Sequence, residues 1–104
     1  MKHIRSISVV VPTLNEVDNI DVLLSSIISE PNGDIMLEIL VADGGSTDGT
    51  LERVRAWETK AAVRLICGNG AKGLAGDVLT ASRCANGDVI VVMDADMSHP
   101  PDQI

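Results

Sequence analysis

Four short apolar runs rich in β-branched residues alternate along the chain with three segments whose apolar residues recur at helical spacing. The runs are expected to be strands and cover residues 7–11, 37–42, 62–66 and 89–93. Strands that alternate with helices form βαβ units with right-handed crossovers. The sequence therefore predicts a Rossmann-like α/β fold, a parallel sheet with helices on both faces. We expect strand order 3-2-1-4, with the fourth strand at an edge.

The composition agrees with such a sheet and excludes one class of partner. Trp57 is the only aromatic residue, so the core must be aliphatic, as in parallel strands covered on both faces. Fifteen acidic residues against eight basic ones give a net charge of −7, which argues against nucleic-acid binding. A phosphorylated ligand would need a cation beside it. Cys67 and Cys84 are too few for a zinc cluster, and we expect both to be small buried hydrophobes.

Polar residues follow each predicted strand, where parallel α/β sheets bind their ligands. The first strand is followed by Pro12, Thr13 and Glu16, the second by Asp43, Ser46 and Asp48, the third by Lys72, and the fourth by Asp94 and Asp96. We expect these side chains to meet at one edge of the sheet. Within them, Asn15 is predicted to cap the first helix and Asp48 the second.

Among the polar residues that follow the predicted strands, Asp94 and Asp96 indicate a function most specifically. Two carboxylates two residues apart, directly after a strongly apolar strand, can both reach a hard divalent cation such as Mg²⁺ or Mn²⁺. That cation would neutralise a diphosphate. The alternative is a solvated loop whose aspartates cap the next helix. Asp43, at the tip of the second strand, is placed to accept hydrogen bonds from a base or a ribose.

Three segments resemble family 2 glycosyltransferases. Residues 9–16, VVVPTLNE, resemble the opening motif hhhPTxNE of that family, and residues 43–50, DGGSTDGT, resemble its second motif. Residues 94–101, DADMSHPP, are especially similar to the DADxSHPP of dolichol- and polyprenyl-phosphate mannosyl- and glucosyltransferases. The motifs occur in the family's order and cover nearly the whole chain.

The resemblance implies a GT-A fold and a metal-dependent, inverting transfer of a sugar from a GDP- or UDP-sugar to an acceptor, with a polyprenyl phosphate as one candidate. Pro12, Glu16 and Asp43 would line the nucleoside pocket. Asp94 and Asp96 would hold Mg²⁺ or Mn²⁺ against the diphosphate, with Lys72 near the nucleotide. No catalytic base is implied, because the acceptor side of this family comes from its second half.

Two residues depart from the pattern of the polyprenyl-phosphate enzymes. Leu14 stands where these enzymes often carry Tyr, which removes a ring that could stack on the base. Asp77 stands where they often carry a small residue. Both departures leave the choice between GDP and UDP open.

The last residues of the sequence resemble the beginning of a further helix. We therefore expect residues 1–104 to be the nucleotide-sugar-binding part of a catalytic domain that is truncated at its C-terminus. Such a piece is expected to be inactive alone and to self-associate through its exposed fourth strand. The sequence has no signal peptide or apolar run of membrane-span length, which predicts a cytoplasmic location, at the cytoplasmic face of a membrane in a longer protein.

Other classes of function stay open at this point. Gly68, Gly70 and Gly73 form a G-x-G-x-x-G pattern after a strand, as in NAD(P)-binding oxidoreductases. That fingerprint normally occupies the first βα turn, and here two βα units precede it. Asp94-x-Asp96 also resembles the nucleophile motif of haloacid-dehalogenase-type phosphatases, which usually lies on the first strand. A binding module without catalytic activity is the remaining alternative.

Overall fold

The computed structural model describes residues 5–30, 33–67 and 73–93. In chain order the elements are β1 (Ser6–Thr13), α1 (Val17–Ser29), β2 (Met36–Asp43), α2 (Thr50–Glu58), β3 (Val63–Cys67), α3 (Gly73–Cys84) and β4 (Val89–Val92). The strands form one parallel sheet in the order β3-β2-β1-β4. The predicted fold class, strand order and edge position of β4 are confirmed.

Side chains of the two central strands point alternately to opposite faces of the sheet, and both faces are covered. On one face, the buried residues Val9, Val11, Ile39 and Val41 pack with α1 and α2 in the larger core cluster. On the other face, a smaller cluster joins these strands to α3 and comprises Val10, Leu40, Ala42 and Ala81. This two-sided burial explains why the central residues of the two strands, 9–11 of β1 and 39–42 of β2, are apolar without interruption.

β1 extends past Pro12, where the sequence predicted that it would end. The carbonyl of Thr13 accepts a hydrogen bond from Gly44 of the β2 side at 3.0 Å, and the carbonyl of Val10 accepts one from Met93 of the β4 side at 2.9 Å. The N–H and C=O groups of successive β1 residues therefore point alternately to β2 and to β4. The main-chain nitrogen and carbonyl of Pro12 point to β4. The paired residues of β1 and β4 end at Val10 and Val92. The N–H that proline lacks is needed only by the β4 ladder, so pairing with β2 continues to Thr13.

The turn between α3 and β4 is fastened to the amino end of the sheet. Glu38 on β2 accepts hydrogen bonds from the Ser8 hydroxyl at 2.5 Å and the Asn86 N–H at 2.6 Å. The N–H of Gly87 donates to the Ser8 oxygen at 2.8 Å. A Cβ on Gly87 would lie 2.6 Å from both the nitrogen and the hydroxyl oxygen of Ser8, so this close approach requires glycine.

β4 presents apolar side chains at the edge of the sheet. Ile90 is 44% exposed, Val92 is 51% exposed, and Leu79 of the neighbouring α3 is 53% exposed.

The thiol of Cys84, at the end of α3, is free and exposed, so the expectation of a buried hydrophobe is wrong there. It fails because the cysteine lies on the outer side of the last turn of α3. Among the described helices, none is both long and apolar enough to span a bilayer.

Candidate functional site

The centre of the candidate site is a pair of buried residues at the carboxyl ends of the two central strands. Thr13 and Asp43 are the last residues of β1 and β2 and lie opposite each other in the parallel register. Each is only 1% exposed. The Thr13 hydroxyl donates a hydrogen bond of 2.6 Å to Oδ1 of Asp43. The end of each strand therefore places a polar side chain at the edge where this type of sheet binds ligands.

The Asp43 carboxylate accepts hydrogen bonds from its own loop as well. Ser46 donates to Oδ1 through its hydroxyl at 2.6 Å and to Oδ2 through its N–H at 2.8 Å, and the Gly45 N–H donates to Oδ2 at 2.8 Å. With Thr13, these bonds occupy both lone pairs of both oxygens. Burial raises the pKa of Asp43, but the hydrogen bonds from Ser46, Thr13 and Gly45 outweigh it, so the pKa lies below its ordinary value. Asp43 is therefore held ionised.

The loop after β1 and the loop after β2 are bonded to each other. The N–H of Asn15 donates to the Ser46 hydroxyl at 2.8 Å, and the Asn15 side-chain oxygen accepts from the Thr47 N–H at 2.8 Å. Asn15 has φ +55°, a conformation that asparagine tolerates better than most residues. The prediction that Asn15 caps α1 is wrong, because its side chain bonds to the neighbouring loop and α1 begins only at Val17.

Asp48 supports the beginnings of two helices at once. Its carboxylate accepts hydrogen bonds from the Val17 N–H of α1 at 3.2 Å and from the Thr50 N–H of α2 at 3.0 Å. The Thr50 hydroxyl also donates to it at 2.5 Å and accepts from the Glu16 N–H at 2.9 Å. The Thr50 hydrogen bond, partly opposed by desolvation, is the main cause that lowers the pKa of Asp48. Asp48 thus satisfies N–H groups at the beginning of both helices. The N-cap position of α2 belongs to Gly49, so the prediction that Asp48 caps this helix is wrong by one residue. The Thr50 hydroxyl connects Asp48 to the Glu16 N–H, a role that was not predicted from the sequence.

Glu16 and Pro12 complete the described part of the predicted site. Pro12 is buried at the end of β1, and Glu16 is half-buried immediately before α1. The Glu16 carboxylate accepts a hydrogen bond of 3.3 Å from the side chain of Asn19. The structure therefore brings together six predicted residues, which are Pro12, Thr13, Glu16, Asp43, Ser46 and Asp48.

A further carboxylate, that of Asp77, reaches this edge from α3. Asp77 is 7% exposed. A Cβ built on Gly44 would lie 3.0 Å from Asp77 Oδ2 and 3.7 Å from the Thr13 carbonyl oxygen. A side chain at residue 44 would therefore be in tight contact with the Asp77 carboxylate in its present position. From the sequence, Asp77 was noted only as a departure from the family pattern. Its burial against Gly44 was not predicted.

Three predicted ligand-binding residues, Lys72, Asp94 and Asp96, lie outside the described residues, as do Gly68 and Gly70 of the dinucleotide pattern. Met93, which precedes Asp94 in the sequence, is buried and bonded to Val10. The described ranges contain no group of three or more His, Cys, Asp or Glu side chains that could hold a metal ion. The metal site at Asp94 and Asp96 stays a prediction.

A concave region of about 330 Å³ lies at the opposite, amino end of the strands. Its walls include Ile7 of β1, Met36 and Leu37 of β2, and Gly87 of the α3–β4 turn. Except for Glu38, whose carboxylate is bonded to Ser8 and Asn86, the region offers no described ionisable side chain to a ligand. The carboxyl edge is the better candidate because its polar residues converge there.

The strand order and the helices on both faces define a Rossmann-like α/β domain, and its polar residues converge at the carboxyl edge of the sheet. Residues 8–104 match Glycosyl transferase family 2, and the chain belongs to this family. The match gives no support to an oxidoreductase interpretation of Gly68, Gly70 and Gly73.

Curated relatives agree with this assignment. A dolichol-phosphate mannosyltransferase of Pyrococcus furiosus is 41% identical over 98 residues, which cover 94% of this chain and 28% of that protein. The dolichol-phosphate mannosyltransferase of Saccharomyces cerevisiae is 34% identical over 100 residues, which cover 93% of this chain and 38% of that protein. The chain thus spans 28% to 38% of the length of these two relatives.

Solved structures show the same fold. A mannosyltransferase of Pyrobaculum calidifontis, in complex with GDP-Man and Mn²⁺, superposes with a TM-score of 0.81 at 36% identity, covering 91% of this chain and 28% of that one. TarS of S. aureus, in complex with UDP-GlcNAc, superposes with a TM-score of 0.76 at 29% identity, covering 88% of this chain and 26% of that one. These neighbours confirm the predicted GT-A type of fold.

Proposed function

We propose that this chain forms the donor-binding part of a metal-dependent, inverting glycosyltransferase that uses a GDP- or UDP-sugar. The observation that carries the proposal is the convergence of Thr13, Asp43 and Ser46 at the carboxyl edge of β1 and β2, within two motifs of the family. Neighbours solved with GDP-Man and with UDP-GlcNAc support this class of ligand. Pro12 and Glu16 border the same edge and complete the proposed nucleoside pocket.

Contact between Asp43 and a nucleoside requires an exchange of hydrogen bonds. Because four donors already occupy the carboxylate, a base N–H or a ribose hydroxyl must replace one of them. The Thr13 and Ser46 hydroxyls are the donors that can rotate away, whereas the two N–H groups are fixed by the backbone. We propose that a nucleoside takes the place of one hydroxyl, which then turns to the ligand itself.

The proposed metal ligands are Asp94 and Asp96, which follow β4 in the sequence. Two carboxylates are the oxygen donors that Mg²⁺ and Mn²⁺ prefer, and the chain carries a net charge of −7 that would repel an uncompensated diphosphate. A divalent cation held there would neutralise charge on the departing nucleoside diphosphate. Lys72 is proposed to add positive charge near the phosphates. Mn²⁺ in the complexes of the Pyrobaculum mannosyltransferase and of a mycobacterial glucosyl-3-phosphoglycerate synthase supports this proposal.

A polyprenyl phosphate is the proposed acceptor, supported by the dolichol- and undecaprenyl-phosphate transferases among the relatives. Such an acceptor is already anionic at neutral pH, so its oxygen can attack the anomeric carbon without a strong general base. A lipid acceptor would place the reaction at a membrane surface, on the cytoplasmic side. We also propose that these 104 residues bind the donor but transfer no sugar alone, because the relatives are about three times as long.

Binding by isothermal titration calorimetry tests the class of ligand. The chain is titrated with GDP, UDP and NADH in turn, each in the presence of Mn²⁺. We expect at least one of the two nucleoside diphosphates to bind and NADH to give no heat of binding. Binding of NADH in preference to both diphosphates, or no binding of either diphosphate, would overturn the proposal.

A further inference from the structure

The Asp77 carboxylate is a buried charged group that the proposed function does not yet use. It is 93% buried, and among the described residues it makes no hydrogen bond or ion pair. No completely buried side-chain oxygen or nitrogen in those same ranges lacks a partner, so the Asp77 oxygens keep some contact with solvent. A carboxylate that is removed from most of its water without replacement hydrogen bonds is destabilising. A ligand with N–H or O–H donors would satisfy it.

The position of Asp77 directs this acceptor to the proposed nucleoside pocket. Its Oδ2 atom lies against Gly44, the residue that joins Asp43 to the loop after β2. The carboxylate of Asp43, the residue before Gly44, has all its lone pairs engaged. Glu16, at the same edge, is only half-buried and accepts one hydrogen bond from Asn19. Asp77 is thus the buried carboxylate among the described residues of this edge whose acceptor capacity is still available. Glycine at position 44 leaves the room that the carboxylate occupies.

We propose that Asp77 selects the base of the donor by accepting hydrogen bonds from guanine, an inference that rests on the proposed function. Guanine presents two adjacent donors, N1–H and the 2-amino group, which match the two oxygens of one carboxylate. Uracil presents a single N3–H between two carbonyl oxygens, and a carboxylate placed there would repel both carbonyls. Asp77 is therefore a specificity-determining residue that favours a guanosine diphosphate sugar over a uridine diphosphate sugar.

Three nucleotides separate this role from a general effect on binding. The affinities of GDP, IDP and UDP are measured by calorimetry with Mn²⁺ for the wild-type chain, Asp77→Ala and Asp77→Asn. The wild type should bind GDP at least about tenfold more tightly than UDP. IDP, which lacks the 2-amino group, should bind between the two. In both variants the affinity for GDP should fall by about tenfold or more, and the affinity for UDP should change by less than about threefold. Both variants should bind GDP and IDP with equal affinity.

Two controls make the outcome decisive. Asp34→Asn removes one carboxylate from an exposed turn before β2 and should leave all three affinities unchanged. Asp77→Asn preserves the size of the side chain, so it carries the test if Asp77→Ala does not fold. A wild-type chain that binds none of the nucleotides would overturn the proposed function and this inference together. Nucleotide binding whose ratio of GDP to UDP affinity is the same in the wild type and the variants would overturn the role of Asp77 alone.

Discussion

The Thr13 hydroxyl and the Asp43 carboxylate form a buried hydrogen bond of 2.6 Å between the last residues of the two central strands. Asp43 in turn accepts from Gly45 and Ser46, and Ser46 accepts from Asn15. A single carboxylate thereby connects β1, β2 and the two loops that follow them. The side chains and loops at this edge are consequently preorganised before a ligand binds, which reduces the conformational entropy that is lost on binding.

Replacement of Thr13 by valine should reveal the contribution of this hydrogen bond. Val has nearly the shape of Thr but no donor, so Asp43 Oδ1 would keep only the Ser46 hydroxyl. We expect the free energy of unfolding, measured by urea denaturation, to fall by about 1–2 kcal/mol. Thr13→Ser keeps the hydroxyl and should lose less. A Thr13→Val chain as stable as the wild type would show that the hydrogen bond contributes nothing to stability.

Acid should destabilise the protein through the same carboxylates. The pKa values of Asp43 and Asp48 lie below their ordinary 3.8 in the folded chain, and that of Glu38 lies below its ordinary 4.5. Each group therefore contributes stability that is complete above its ordinary pKa and is lost as the pH falls through its folded value. Urea denaturation at a series of pH values should show the free energy of unfolding decreasing below about pH 4. Thr13→Val should make this decrease shallower, because it removes one of the hydrogen bonds that lower the pKa of Asp43. An increase in stability on acidification would contradict the assigned directions.

The sequence predicted the sheet well because its signals are local and periodic. β-Branched runs, helical spacing in α1 and the turn around Gly87 identify elements without knowledge of tertiary contacts. The end of β1 was misjudged, because whether Pro12 breaks pairing depends on which neighbour its nitrogen faces. The capping role of Asn15 was wrong for a similar reason, since Thr47 competes for its side chain across two loops.

Part of the candidate site was predicted from the geometry of parallel sheets. Parallel strands bring their carboxyl ends to one edge, so Thr13, Asp43 and Ser46 could be grouped from sequence order alone. The burial of Asp77 could not, because it depends on how α3 lies against Gly44. Nor could the full set of hydrogen bonds on Asp43, because three donors come from turn geometry that spacing does not specify.

Gly87→Ala tests the close approach of the α3–β4 turn to β1. An added methyl group would meet the Ser8 nitrogen and hydroxyl at 2.6 Å and the Ile7 carbonyl carbon at 2.9 Å, all part of a strand that cannot move aside. We expect a loss of about 1–3 kcal/mol in the free energy of unfolding, measured by urea denaturation. Asn86→Ala, beside it, retains the N–H that bonds Glu38 and should change stability little. A Gly87→Ala chain as stable as Asn86→Ala would contradict the packing.

Self-association through the edge strand is a further expected property. Ile90 and Val92 expose apolar surface on β4, and an uncovered apolar edge favours pairing with another chain. Val92→Lys should shift sedimentation-velocity profiles toward the monomer, because a charged edge opposes pairing. Val22→Lys places the same charge on the exposed face of α1, where Val22 is also solvent-accessible, and should leave association unchanged. A wild-type chain that stays monomeric at every concentration would refute this expectation.

The most direct test of the proposed function is the dependence of nucleotide binding on Mn²⁺ in the wild-type chain and in Asp96→Ala. Calorimetry with GDP and UDP is performed with Mn²⁺ and with a chelator, and Asp34→Ala serves as a control that removes an exposed carboxylate elsewhere. We predict that Mn²⁺ strengthens binding by about tenfold or more in the wild type and in Asp34→Ala. Asp96→Ala should lose that increase while its circular dichroism spectrum stays that of the folded chain. An Asp96→Ala chain that keeps the full Mn²⁺-dependent increase would contradict the metal-dependent donor site.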